Sequence, residues 1–453
     1  MLCSTRSSKT PRKDGTALPR KTNSISTTDA AARDEGISAA WLIGVGRDCF
    51  SMTDLAELVR AHEVWRASTI NLQPSENVMS DQARRLLASD FGHRYTLSEY
   101  TDPQSGESTN AYRGTRYVDA VEDLAESLAR EVFGAAHASL KPLSGHVAGS
   151  LLVQTVCRRG DLLMTLDAAH GGYDGYMPAN LSGLLGLQVD FLPFDTSRWN
   201  LDERAAADAI LERRPRLVLV GASFILFPYN LRWLRGACDD VNAVLGYDAS
   251  HVLGLLAGGE FQSPMTEGVD VLSGSTHKSF PGPQGGLFVT NRRDLHERVV
   301  PTLLWRLQDN AHWHRIAATA QVLLEMRAFG AAYAKQVVAN AKALAHQLDR
   351  WGFPLRFAAL GYTESPQLLY DGAALQEKWD LTVAAFADRL EANDIIVDAV
   401  ARLGTSEITR MGATEEHMAI LAGLIVRAAQ GEDVRGEVGE LRSRLHLSFA
   451  FPP

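Results

Sequence analysis

This sequence predicts an α/β protein on a mostly parallel sheet with a smaller α+β domain behind it, and three observations carry the prediction. From about residue 53, apolar strand-like segments alternate with amphipathic helical ones. Three of the strand-like segments end in polar residues that an apolar core would not choose, the usual sign of a ligand site beyond the carboxyl ends of parallel strands. After about residue 320 the alternation weakens into long helical stretches mixed with short strands.

Taken in order, the first 35 or so residues are rich in Ser, Thr, Lys and Arg and nearly free of large apolar side chains. Such a segment cannot offset its ordering entropy by burial, so residues 1–40 read as a disordered tail. The alternative is a transit peptide, whose basic, Ser-rich composition the segment shares though no amphipathic helix is evident. Residues 118–133 form a helix with Val121, Leu124, Leu128 and Val132 on one face, stopped by Gly134. A second helix, 145–156, is opened by Ser144 and Gly145. Strands are expected at 162–166, 189–192, 217–220, 244–247, 269–272 and 286–289. Residues 316–348 read as one or two long helices, followed by helices at 382–392 and 415–429. The expected division is an N-terminal arm and large domain over 41–334 and a small C-terminal domain over 335–453.

Composition narrows the function. With 453 residues, 45% of them apolar, the chain can bury a large core. A net charge of −9 with no basic stripe argues against nucleic acid, and no apolar run is long enough for a membrane span. Cys3, Cys49, Cys157 and Cys238 show no metal-ligand or disulfide spacing and read as reduced thiols of a cytoplasmic protein.

The chemistry concentrates at the three polar strand ends. Ser-Gly-Ser-Thr-His-Lys278-Ser-Phe-Pro-Gly follows the apolar Val269, Val271 and Leu272, with hydroxyls at Ser273, Ser275 and Thr276 and glycines at 282, 285 and 286. A lysine in a glycine- and hydroxyl-rich pocket suits an imine link to pyridoxal phosphate. Asp248-Ala-Ser-His251 supplies a carboxylate for a protonated pyridine nitrogen, and Asp167-Ala-Ala-His170-Gly-Gly-Tyr173 supplies a flat ring for stacking. The helix start at Ser144-Gly145-His146 offers amides to a phosphate.

In this order the motifs resemble the serine hydroxymethyltransferase family, from about Leu72 to Gly412. The resemblance is carried by Pro74-Ser-Glu-Asn77, Tyr117-Val-Asp119, Ser144-Gly145, Ala169-His-Gly-Gly172, Asp248-Ala-Ser-His251-Val-Leu-Gly254, Thr276-His-Lys278 with Gly282-Pro-Gln-Gly-Gly286, and Arg402-Leu-Gly-Thr405. It implies a fold-type I pyridoxal-phosphate enzyme with a seven-stranded sheet, working as a homodimer. It also implies that Lys278 carries the cofactor, Asp248 meets the pyridine nitrogen, Ser223 and His251 approach the phenolic oxygen, His277 adjoins the cofactor and Arg402 grips the substrate carboxylate. Tyr95 is expected near the substrate, with Tyr112 and either Glu99 or Glu107 in acid–base roles.

The chain also departs from the family. The stacking histidine is Tyr173, the serine after Ser-Gly is His146, and a nearby asparagine is Gly149. A glycine pair lent by the partner subunit is missing between Trp305 and His314, where His312, His314 or Arg315 would substitute. The pterin-holding loop between Ile396 and Arg402 is essentially deleted, and the segment from Tyr95 to Tyr112 is longer than its counterpart. The expected function is therefore folate-free Cα–Cβ cleavage or formation on a threonine- or serine-like substrate, with an aldehyde as partner. The alternatives are a folate-dependent hydroxymethyltransferase for glycine or 2-methylserine, and a racemase or eliminating enzyme acting at Cα–H.

Overall fold

The computed structural model describes residues 52–97 and 100–452. The expected tail over residues 1–40 and Glu99 lie outside the described residues. The chain divides into two compact units, Met1–Glu63 and Val64–Pro453. Of the first, the described part belongs to the helix Met52–Ser68.

The second unit is built on a seven-stranded sheet, as the α/β reading required. Its strands are β1 (His137–Ser139), β2 (Leu162–Thr165), β3 (Gln188–Phe191), β4 (Leu217–Val220), β5 (Val244–Asp248), β6 (Val271–Ser275) and β7 (Gly286–Thr290), in the spatial order β1-β7-β6-β5-β4-β2-β3. Neighbours from β6 to β3 run parallel, while β7 is antiparallel to both β6 and β1. The central strands β4, β6 and β7 are buried along their whole length. That burial explains their near-continuous runs of residues that tolerate an apolar setting.

One strand shifts and one is new. The strand expected at 269–272 runs instead over Val271–Ser275, because Ser273, Gly274 and Ser275 are small enough to pair inside the sheet. Strand β1 was not anticipated: it is three residues long, and its pairing with β7 rather than local pattern defines it. The stretch expected as one or two helices is a single one of 38 residues, Trp313–Arg350.

That long helix serves two cores. Its residues Trp313 to Val337 pack with the sheet, and Ala341 to Leu348 pack with Phe353, Phe386, Ile395 and the helix Glu415–Ala429. Beside this second core, strand Gln367–Leu369 pairs antiparallel with strand Arg402–Gly404. No helix among the described residues is long and apolar enough to cross a membrane.

Candidate active site

Because β2, β4, β5 and β6 are parallel, their carboxyl ends meet at one edge of the sheet, where ligands of α/β proteins bind. A cleft there encloses about 330 Å³ and is lined by Gly145, His146, Tyr173, Ser223, Asp248, Ser250, His251, Ser275 and Lys278. Eight of these residues were named from the sequence, Ser275 among them as a pocket hydroxyl. One more joins them: Ser250, inside the motif already noted.

Lys278 lies in a loop held shut by Thr276, whose hydroxyl donates to the Pro283 carbonyl at 2.7 Å and whose N–H donates to the Gly285 carbonyl at 3.0 Å. Asn77 Nδ2 donates to the Lys278 carbonyl at 2.8 Å, which gives the Pro-Ser-Glu-Asn motif a structural purpose. The lysine amine is lowered to about 8, chiefly by burial, with Asp248 opposing the shift and Arg402 adding to it. Lys278 Nζ stands 3.1 Å from His251 Nε2. Burial, with Lys278 next in effect, pushes His251 well below the usual imidazole range, so the ring is neutral and Nε2 accepts from the ammonium. Its Nδ1 then carries the proton, and that buried atom has no partner.

Asp248 is held on both oxygens. Oδ2 accepts from the Tyr176 hydroxyl at 2.7 Å; Oδ1 accepts from Ser250 N at 3.0 Å and Ser250 Oγ at 2.6 Å. Ser144 caps the helix Gly145–Val156, its hydroxyl accepting from Val147 N. A side chain on Gly145 would collide with Ser275 Oγ at 1.9 Å, so glycine lets the helix start lie directly against β6. Tyr173 bonds through its hydroxyl to His146 Nδ1 at 3.1 Å and packs edge-on to Tyr176. Burial raises the Tyr173 phenol, with Asp248 and Asp174 adding to the effect, so the hydroxyl keeps its proton.

Arg402 sits beside this cleft, linked to it through Ser223. Its Nη1 donates to the Ser223 carbonyl at 2.7 Å, its Nε to Asp398 at 2.6 Å, and its guanidinium lies 4.7 Å from the centre of the Phe224 ring. Gln367 Nε2 also donates to the Ser223 carbonyl, at 3.1 Å.

Other expected residues are not brought into this cleft. The half-exposed Tyr112 packs its ring on Tyr95 with centroids 4.8 Å apart, and the Tyr95 phenol is pushed up to about 12, chiefly by its bond to Asp309. Glu107 is exposed on the hairpin Tyr100–Thr101/Ser108–Thr109. His277 does not line the cleft, and burial drops it to about 4. Arg315 is buried with Nη2 on the carbonyls of Leu140 and Lys141, bracing the segment that leads to Ser144.

The residues fit pyridoxal phosphate. Lys278 is an amine of lowered basicity, Asp248 is an oriented carboxylate and His251 Nδ1 is an orphaned donor. The helix start at Gly145 lines the cleft and offers backbone amides to a phosphate. Among curated proteins the chain is 37% identical over 417 residues to a serine hydroxymethyltransferase of Methanothermobacter thermautotrophicus, covering 87% of this chain and 95% of that one. It is 36% identical over 385 residues to the Pyrococcus furiosus serine hydroxymethyltransferase, covering 82% and 88%. Among solved structures it resembles an L-threonine transaldolase from Pseudomonas fluorescens in its internal aldimine state, with a TM-score of 0.79, 25% identity and 88% and 93% coverage. The serine hydroxymethyltransferase family model matches residues 51–425. With that match and this site together, the chain belongs to the serine hydroxymethyltransferase family, a fold-type I pyridoxal 5′-phosphate enzyme of Cα–Cβ bond chemistry.

Proposed function

We propose that this enzyme is a folate-independent aldolase or transaldolase for threonine- or serine-like β-hydroxy amino acids. The observation that carries the reading is the passage from Ile396 to Arg402. Residues 397–401 alone join strand Ile395–Ile396 to strand Arg402–Gly404, and the carboxylate of Asp398 occupies the flank of the Arg402 guanidinium. The resemblance places the family's pterin-holding loop in this passage, and its near-deletion here supports a reaction without folate. The likeness to the L-threonine transaldolase of Pseudomonas fluorescens supports the same reading.

The chain's own residues then divide the work. With Nε on Asp398 and one Nη1 proton on the Ser223 carbonyl, Arg402 keeps its other Nη protons for the substrate carboxylate, a charge-assisted contact suited to guanidinium. Asp248 is set to meet the pyridine nitrogen and Tyr173 to cover a ring face. His251 Nε2 accepts from the Lys278 amine and holds Nζ in place. When bound, the cofactor supplies the electron sink for charge left on Cα as the Cα–Cβ bond breaks.

The test is acetaldehyde release from L-threonine by the purified holoenzyme without folate, repeated with a second aldehyde present. Release, or transfer to the added aldehyde, is expected. Activity seen only with a tetrahydrofolate cofactor would instead establish a hydroxymethyltransferase, the activity named in the curated relatives. Solvent deuterium at Cα with no aldehyde product would establish Cα–H chemistry. Lys278→Ala should abolish the lysine-bound cofactor band, and a variant that keeps it would overturn the assignment of Lys278.

A further inference from the structure

We infer that Tyr176, seated in space that Gly149 leaves open, is a positioning residue for the cofactor: its phenol orients Asp248 toward the ring nitrogen and draws charge from that carboxylate. The inference rests on the assignment of Asp248 to that nitrogen. No sequence motif marked Tyr176, yet it is 1% exposed and its hydroxyl donates to Asp248 Oδ2 at 2.7 Å. The other carboxylate oxygen is fixed by Ser250, whose own hydroxyl accepts from Ser275 N at 3.0 Å and so ties the assembly to β6. With donors on both oxygens the carboxylate cannot rotate freely, and its remaining lone pairs keep a set direction.

Gly149 makes the arrangement possible. A Cβ built there would stand 2.2 Å from the Tyr176 hydroxyl oxygen and 3.0 Å from Cζ. Any larger residue, including the asparagine expected from the family, would displace the phenol from Asp248. Tyr176 is secured further by the Ser182 hydroxyl, which donates to its carbonyl at 2.6 Å, and by Tyr173, edge-on with centroids 5.2 Å apart. Burial, with the Asp248 charge next in effect, raises the phenol well above its ordinary range. It therefore remains a donor throughout the working pH range, and its pull on Asp248 does not vary with pH.

A donor on a carboxylate makes that carboxylate a weaker acceptor for a further partner. Removing the phenol should leave Asp248 more electron-rich, strengthen its hold on the ring nitrogen proton and pass charge into the ring. The visible band of lysine-bound pyridoxal phosphate reads this directly, because the linked nitrogen then keeps its proton to higher pH. In a spectrophotometric pH titration of the holoenzyme, Tyr176→Phe should move the midpoint upward by on the order of half a pH unit. Gly149→Ala should move it in the same direction by pushing the phenol aside, and it serves as the test if Tyr176→Phe does not fold. A purely structural role would lower the unfolding temperature and leave the midpoint in place, and that result in a cofactor-loaded Tyr176→Phe protein overturns the inference. Asp248→Asn separates the two levels. If it leaves band and midpoint unchanged, the assignment of Asp248 itself fails; if it changes both while Tyr176→Phe changes neither, only the role of Tyr176 fails.

Discussion

Asp398 and Arg402 form a largely buried ion pair, with Asp398 Oδ2 2.6 Å from the guanidinium Nε and side-chain exposures of 15% and 10%. The pair places an anion on the same arginine that the proposed mechanism gives to the substrate carboxylate. Burial raises the Asp398 carboxyl and Arg402 counters the shift, so the pairing holds a charge that the site would otherwise discourage. Asp398→Asn keeps an acceptor for Nε but removes the competing charge. The expected result is a lower KM for the amino acid with kcat little changed, together with a loss of stability of up to about 3 kcal/mol from the unpaired guanidinium. Arg402→Ala should act oppositely on KM, raising it by the equivalent of roughly 2–5 kcal/mol. Steady-state kinetics and thermal unfolding check both, and an unchanged KM in Arg402→Ala would show that another group holds the carboxylate.

Lys278 sets the pH at which cofactor is captured. Its amine is lowered to about 8, so the uncharged nucleophile grows as pH rises through that value and is already substantial near neutrality. Apoenzyme mixed with pyridoxal phosphate should form its visible band faster as pH rises from 7 to about 9 and level off above. An ordinary lysine would still be accelerating at about pH 10, so a rate that keeps climbing there contradicts the lowered value.

Tyr173 and His146 make the second readable contact in the cleft. Tyr173→Phe keeps the aromatic face and loses only the bond to His146 Nδ1. Cofactor affinity, measured by titrating apoenzyme, should weaken no more than about tenfold, the worth of one hydrogen bond. Tyr173→Ala removes the face as well and should weaken it further. Equal losses in the two variants would mean that stacking contributes nothing.

The parts of this molecule that could be read from sequence are those with local signatures. The helix at Gly145–Val156 was legible because Ser144 and Gly145 announce its start, and Lys278 and Asp248 because polar residues at the ends of apolar strands are conspicuous. The parts that escaped depend on contacts made across the chain. Tyr176 meets Asp248 only because Gly149, on another element, leaves room for its ring. Strand β1 exists through β7, and Asp398 gains significance only when a shortened connection turns it onto Arg402. Tyr95 and Tyr112 pack on each other, and Tyr95 bonds to Asp309, contacts that no local pattern announces.

Glu407 gives a stability test independent of the cofactor. It belongs to a part-buried cluster in which Asn71 Nδ2 donates to Glu407 Oε2 at 2.7 Å and to Glu76 Oε2 at 2.8 Å. Burial raises the Glu407 carboxyl from 4.5 to about 7, with Asn71 and Arg66 opposing and Glu76 reinforcing the shift. The folded state therefore holds this proton more tightly than the unfolded chain, and stability falls as pH rises from about 4.5 through about 7. Glu407→Gln keeps an acceptor for Asn71 and removes the charge. It should raise stability by about 1–3 kcal/mol at pH 8 and make little difference at pH 4.5, where the native side chain is already protonated. Chemical unfolding of wild type and variant at the two pH values measures the difference. A gain of the same size at both would mean that packing, not ionisation, is responsible, and a loss at pH 8 would show that the charged carboxylate is needed by its neighbours.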